Sequence, residues 1–465
     1  MIIVLACAGI AARQASRAER GPRRGARRLQ RAVAELQGKY LLGAAELPTA
    51  DRQQLLEQID GLETGSPRAR LRSIVLVGEL SGPNAALRRL TAYDEHLTAN
   101  RQELSSDERA IENILRRVYR DRSSQRFSAS AFSRRDRRLL VRKLGWHGRL
   151  ALCPSDGPAR DAFLASARDT RRAVDAVVAA VLLAGMAGLA ALALFVVLFA
   201  SGKLQRPLAG PTMYGGIYAE TFALWLLLFI GLTALPPALT SVRWLHLPRH
   251  GGLLMQCSAM LLSLAALAWP VWRGVPWQQV RREIGWTMGR RPLVEILLGG
   301  ATYVAALPLV VMGLVAVVVM LILERMLPGA GRPGTLNPNA LPSHPMVEWL
   351  THGGARGRLQ VVLLASVVAP IVEETMFRGV LYRHLRDATG GRMSFAFSVL
   401  FSGAAVSFVF AVIHPQGWVA IPALMSLAFA FTLAREWRGT LLPAIIAHGL
   451  NNGLLMWLLI RLVGG

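Results

Sequence analysis

Two adjacent glutamates, Glu373 and Glu374, stand in an otherwise apolar run. From Leu359 to Leu381 the only other charge is Arg378. Such a run is long enough to cross a bilayer, which takes about 20 apolar residues. A carboxylate at that depth costs at least ~2.5 kcal/mol, so two side by side need a reason. On a helix, Glu374 and Arg378 are four apart and share a face, which lets them pair. Glu373 points about 100° away, on the face of Phe377, and no basic residue stands three or four positions from it. Glu373 is therefore the group left to do chemistry. A buried ion pair that only fixes helix packing is the plainer reading of Glu374 and Arg378. Ionisable residues inside a membrane nonetheless read as functional by default.

Three more polar groups fall in later apolar runs. His414 closes the stretch Phe410-Ala-Val-Ile-His414, with Pro415 directly after it to stop a helix. His448 and Asn452 are four apart in His448-Gly-Leu-Asn-Asn452 and share a face. A lone histidine on an apolar helix is usually a packing residue, but two histidines, an asparagine and a glutamate pair in one four-span unit suit hydrolysis. A glutamate in a poorly solvated pocket is a better base than one in water. A histidine beside it can orient and deprotonate a water. A second histidine and an amide can donate hydrogen bonds to an oxyanion. No serine sits in a nucleophile elbow and no cysteine lies near these motifs, so no covalent attack is needed. In the other arrangement Glu373, His414 and His448 hold zinc and leave one position for water. The helical metalloprotease pattern His-Glu-x-x-His is absent. Both arrangements, with zinc and with no cofactor, satisfy the residue pattern.

Taken in order, Glu-Glu-x-x-x-Arg (Glu373, Glu374, Arg378), Phe-x-x-x-His (Phe410, His414) and His-x-x-x-Asn (His448, Asn452) resemble the CAAX prenyl protease and bacteriocin-processing family, also called Abi proteins. Its members are intramembrane peptidases. The resemblance covers roughly Leu359 to Leu459. It implies Glu373 as the water-activating base with His414 as its partner, His448 and Asn452 as oxyanion donors, and Glu374 and Arg378 as the pair that holds the site in shape. It implies a membrane-anchored or lipidated peptide substrate, of which a prenylated CAAX tail is one kind. The family is often labelled metalloprotease, while a glutamate mechanism without metal is argued for its eukaryotic branch.

These residues need helices to carry them. The 465-residue chain is 53% hydrophobic with a mean hydropathy of +0.36, too apolar for an ordinary soluble protein. Eight apolar runs read as spans: about 173–200, 214–238, 252–272, 293–323, 359–382, 394–413, 418–434 and 440–463. The seventh is marginal. Trp244, Trp272, Trp277, Trp286, Trp349, Trp418 and Trp437 stand near their edges, where an aromatic belt belongs. Pro236-Pro237, Pro270 and Pro308 would kink or end helices. Glu220, in the second span, reads as a structural buried acid. The expected fold is an all-α, polytopic transmembrane bundle, a multi-pass protein of a bacterial cytoplasmic membrane.

The charge is uneven. Between Ala12 and Arg172 there are 33 Lys and Arg against 19 Asp and Glu, a net of +14 out of +24 for the chain. Helical spacing of Leu, Ile and Val recurs there, with breaks at Ser66-Pro67 and Gly82-Pro83. This front reads as a basic, mostly helical extramembrane region. Its arginines interleave with acids and no nucleic-acid motif accompanies them, which argues against nucleic acid. Anionic lipid headgroups are the expected partner, through Arg134, Arg135, Arg137, Arg138, Arg142 and Lys143, and through Arg168, Arg171 and Arg172 before the first span. The domain layout is then 1–172 extramembrane, 173–323 four spans, 324–358 a Gly/Pro-rich connector and 359–463 the peptidase-like core. Cys7, Cys153 and Cys257 lack disulfide or zinc spacing. Val4-Leu-Ala-Cys7 resembles a lipoprotein box only in part, since six residues precede the cysteine and none is basic. The doorstep Arg171-Arg172 favours a cytoplasmic front, while five arginines in Arg273–Arg291 favour the reverse. The rival to a peptidase is a non-catalytic scaffold or transporter partner. A peptidase needs Glu373 and His414 close enough to share a water, whereas a scaffold should close off each glutamate with a fixed partner.

Overall fold

The computed structural model describes residues 24–62, 66–101, 103–203, 208, 216–241, 251–289, 291–326, 350, 354–414 and 418–463. Cys7, Trp244, Trp349, Pro415 and most of the 324–358 connector lie outside the described residues. Every regular element among them is helical, as the patterning demands. The chain forms two compact units, 29–181 and 182–465.

The first unit is built on seven helices: α1 (Arg24–Ala45), α2 (Arg52–Leu62), α3 (Pro67–Ser81), α4 (Pro83–Ala99), α5 (Ser106–Ser123), α6 (Arg134–Leu144) and α7 (Trp146–Ala151). The predicted breaks are helix starts. Ser66 caps α3 by accepting from the Ala69 amide at 3.2 Å, and Pro67 takes the first helical position, where its missing N–H costs nothing. α3 is the central helix and buries Leu71, Ile74, Val75, Leu76 and Val77. Gly78 lets Tyr119 of α5 close on it, since a Cβ there would stand 2.4 Å from the ring. This unit has an ordinary apolar core.

The second unit is membrane-like throughout. α8 (Pro158–Ala200) starts in the first unit, and the division falls inside it, between Val181 and Leu182. Then come α9 (Ile217–Ser241), α10 (Leu253–Trp272), the short α11 (Trp277–Ile284), α12 (Pro292–Met326), α13 (Gly354–Gly390), α14 (Phe395–Ile413), α15 (Ile421–Arg438) and α16 (Leu442–Val463). Among the described residues seven helices are long and apolar enough to cross a membrane. Large apolar side chains point outward from them, such as Leu183 at 67% exposure and Leu297 at 74%. A surface of that kind belongs in lipid. The protein is a multi-pass integral membrane protein.

The expected seventh span, 418–434, differs. It forms α15, but Arg435, Glu436 and Arg438 fall within its 18 residues, and it packs inside the bundle against α12, α14 and α16. Glu220 also differs from the expectation. It is not buried: its carboxylate is 44% exposed and takes hydrogen bonds from Trp269 (2.8 Å) and Arg273 (3.2 Å). It sits in the first turn of α9, at the end of a span, where a charge reaches polar partners. Trp272 and Trp418 are exposed at the helix ends, at 81% and 56%.

Candidate active site

α13 is the helix on which the site is built, and it is irregular on both sides of the glutamates. Leu364–Val368 and Thr375–Leu381 are π-helical, with α-helix only from Ala369 to Glu374 between them. Pro370 supplies a cause for the first. A proline inside a helix cannot donate to the carbonyl four residues back, here Ser366, and its ring crowds that carbonyl. The widened turn also leaves the Ala365 carbonyl accepting from the Asn452 amide at 2.8 Å. Such π turns recur at functional sites. α16 comes close at this point because Gly449 has no side chain. A Cβ there would stand 2.7 Å from the Ser366 carbonyl oxygen.

The inner part of the site is closed. Glu374 and Arg378 have no exposure, and Arg378 Nη1 donates to Glu374 Oε1 at 2.9 Å. His448 Nδ1 lies 2.8 Å from the same oxygen and donates to it, because an ionised carboxylate only accepts. Arg378 Nη2 donates to the Ala428 carbonyl of α15 at 3.1 Å. Its guanidinium lies between two rings, 4.5 Å from the Phe410 centroid and 5.6 Å from that of Phe431. Phe431 also stacks on His448, with centroids 5.5 Å apart and planes at 26°.

The outer part is open. Glu373 and His414 are each 16% exposed at the side chain. Glu373 Oε2 stands 3.8 Å from His414 Nε2 and 3.7 Å from His448 Nε2. Both distances are too long for a hydrogen bond and short enough for one water to touch both groups. His414 is the first residue beyond α14, with extended backbone angles of −75° and 142°, as a residue before proline prefers. Its Nδ1 lies 2.7 Å from the Phe410 carbonyl, which can only accept, so that nitrogen carries the proton. With Nδ1 engaged in each ring, both His414 and His448 turn Nε2 toward Glu373. Two imidazoles and a carboxylate are suitable zinc donors by type. Among the described residues, however, no three His, Cys, Asp or Glu side chains are grouped to hold a metal ion.

Five of the six residues nominated from the sequence meet side chain to side chain here, and Asn452 reaches the same helix, α13, through Ala365. One of the Asn452 N–H bonds is spent on Ala365, and its Oδ1 accepts from Asn451 at 3.1 Å. Residues without a sequence signal complete the site. Phe431 and the Ala428 carbonyl come from α15, whose apolar run looks like any other span. Trp286, read as a belt residue, instead donates from Nε1 to Thr375 at 2.8 Å, one residue past Glu374.

The family described as type II CAAX prenyl endopeptidase, Rce1-like, matches residues 356–454. All six site residues lie in that segment. The membrane-embedded CAAX protease MroQ of Staphylococcus aureus (strain USA300) is 32% identical over 92 residues, 20% of this chain and 36% of that protein. The chain thus matches about a third of the length of that curated relative. No solved structure matches.

Proposed function

We propose, from the match of residues 356–454 to the Rce1-like CAAX prenyl endopeptidase family and the likeness to a membrane-embedded CAAX protease, that this chain is an intramembrane endopeptidase. Its substrate class would be a membrane-anchored or lipidated peptide, a prenylated CAAX-type tail included. One observation carries the mechanism: Glu373 accepts no hydrogen bond among the described residues, and two imidazole nitrogens face it at 3.7 and 3.8 Å. A water in that gap gives a proton to Glu373 and its oxygen attacks the scissile carbonyl carbon. Glu373 later returns the proton to the departing amine. His414 fixes the water through Nε2. His448, with Nδ1–H on Glu374, can carry a second proton on Nε2 and donate it as a hydrogen bond to the oxyanion; the Glu374 carboxylate offsets that charge. The second N–H of Asn452 is a further donor. The basic front, 1–172, would lie outside the bilayer and meet anionic headgroups.

The test is a cleavage assay on the full chain in detergent, with a prenylated CAAX peptide and a panel of membrane-anchored peptides. It is run with and without a strong zinc chelator. Cleavage that survives chelation and is lost in Glu373→Ala supports the water mechanism. Cleavage lost on chelation and restored by zinc would reassign Glu373, His414 and His448 as ligands. Cleavage retained by Glu373→Ala would overturn the assignment of the base.

A further inference from the structure

A cavity of about 420 Å³ is lined in part by Trp286, the residue bonded to Thr375 of the site helix. Trp277 and Arg281 of α11, Gly285 and Trp286 just after it, and Leu441 and Ile445 at the start of α16 line it. The two indoles meet edge to face, with centroids 6.0 Å apart. Arg281 is exposed and has no ion pair among the described residues. The nearest acid in sequence, Glu283, is already engaged, accepting from Tyr218 at 2.6 Å and Gln279 at 2.9 Å.

A second cation lies beneath the cavity. Arg435 of α15 is fully buried, and its Nε and Nη1 have no hydrogen-bond partner among the described residues. Its guanidinium presses on Gly285, where a Cβ would stand 2.7 Å from Cζ and where φ is +84°. A buried cation left partly unpaired is costly, and this one, bonded through Nη2 to the Glu283 carbonyl at 2.7 Å, lies directly behind Gly285 of the cavity wall. Two positive groups, two tryptophans and aliphatic walls at the end of membrane helices match one chemistry: a phosphate on an acyl-bearing molecule.

We propose that this cavity binds the headgroup phosphate of an anionic membrane lipid. The lipid's chains would lie along Leu441 and Ile445, and its phosphate would meet Arg281, with Arg435 behind Gly285. The apolar walls favour a lipid over a soluble anion. The position also matters to the site. Segment 285–287 is bonded to both helices that carry the chemistry: Trp286 to Thr375 of α13, the Gly285 carbonyl to the Leu441 amide (3.0 Å), and the Thr287 carbonyl to the Thr440 hydroxyl. A headgroup seated there would brace α13 against α16.

The experiment is native mass spectrometry of the full chain in mild detergent, titrated with phosphatidylglycerol and, separately, phosphatidylcholine. One phosphatidylglycerol should be retained per chain, and retention should fall about tenfold in Arg281→Gln, the loss of one charge-assisted contact. Arg282→Gln, exposed on the same helix but outside the cavity, should retain it as the wild type does. Leu442→Trp fills the cavity and should also lose the lipid. Equal retention in the wild type, Arg281→Gln and Leu442→Trp would overturn the proposal. So would equal retention of phosphatidylcholine. Displacement by millimolar inorganic phosphate would make the cavity a site for free phosphate, and displacement by a peptide with a free C-terminal carboxylate would make it a peptide site. Either would overturn the lipid assignment. None of these readouts depends on peptidase activity.

Discussion

The two units each bury a carboxylate among basic partners, and they finish the job differently. In the first unit Glu79, 2% exposed at the side chain, has both oxygens taken: Arg122 holds Oε1 at 2.8 Å and Arg160 holds Oε2 at 2.5 Å. In the second unit Arg378 and His448 both bind Oε1 of Glu374, while Oε2 has no partner among the described residues. Beside it Glu373 takes no hydrogen bond among the described residues. A purely structural ion pair is saturated, as buried charge requires. The membrane site leaves Glu373 bare beside a Glu374 that is bonded through one oxygen only, which suits a base that must pick up and release a proton. The comparison also weighs against the scaffold reading, which would close both glutamates.

The sharpest way to break this contrast is to remove the bare carboxylate. Glu373→Gln should lower cleavage by at least about a hundredfold, the lower end of what general base catalysis supplies. The thermal midpoint in detergent should not move, because no hydrogen bond is lost. A variant that still cuts would make Glu373 as structural as Glu79.

Next in size is the closed pair. Arg378→Ala strands Glu374 in a dry site and should cost about 3–5 kcal/mol of stability. A double variant, Glu374→Gln with Arg378→Met, should recover part of that, since both charges leave together. An unchanged unfolding midpoint for Arg378→Ala would show that the pair does not hold the bundle. By contrast, Glu79→Gln keeps the shape and some of the hydrogen bonding, and should cost only about 1–3 kcal/mol. It should do so in residues 29–181, seen by hydrogen exchange, without altering cleavage. Altered cleavage would mean that the two units are coupled.

Much of the site was legible because charge in an apolar run has few innocent explanations. Glu373, Glu374, Arg378, His414, His448 and Asn452 each stood out against a hydrocarbon background, and helical spacing put the right ones on shared faces. What escaped were features whose signal is apolar. Phe431 reads as one more phenylalanine until Arg378 and His448 are seen beside it. The π turns flanking Glu373 follow from a proline and from tertiary bonds that no periodicity encodes. Glu220 was misread because apolar content extends past the end of its span, and the sequence does not show that Trp269 and Arg273 fold back to meet it. α15 was read as a span by its apolar start, while its charged end carries Arg435 and Glu436 into the interior of the bundle.

The smallest effect sharpens the contrast through two buried histidines. His448 has a carboxylate partner at 2.8 Å. His147 of the first unit has none: Trp146 meets it edge to face at 5.1 Å, and a Cβ on Gly38 would stand 2.6 Å from its Nε2. Burial, with Arg72 nearby as a second cause, pushes the His147 imidazole down from 6.5 to about 3. The unfolded chain then binds a proton that the folded unit refuses. Stability is therefore complete above pH 6.5 and is lost as the pH falls toward 3, by about 1 kcal/mol at pH 5.5. Hydrogen exchange in α3 should speed up between pH 7 and 5.5, beyond the intrinsic pH dependence of exchange, and His147→Phe should abolish that excess. If the same excess persists in His147→Phe, the proton goes elsewhere, and the two histidines no longer differ in the way their surroundings imply.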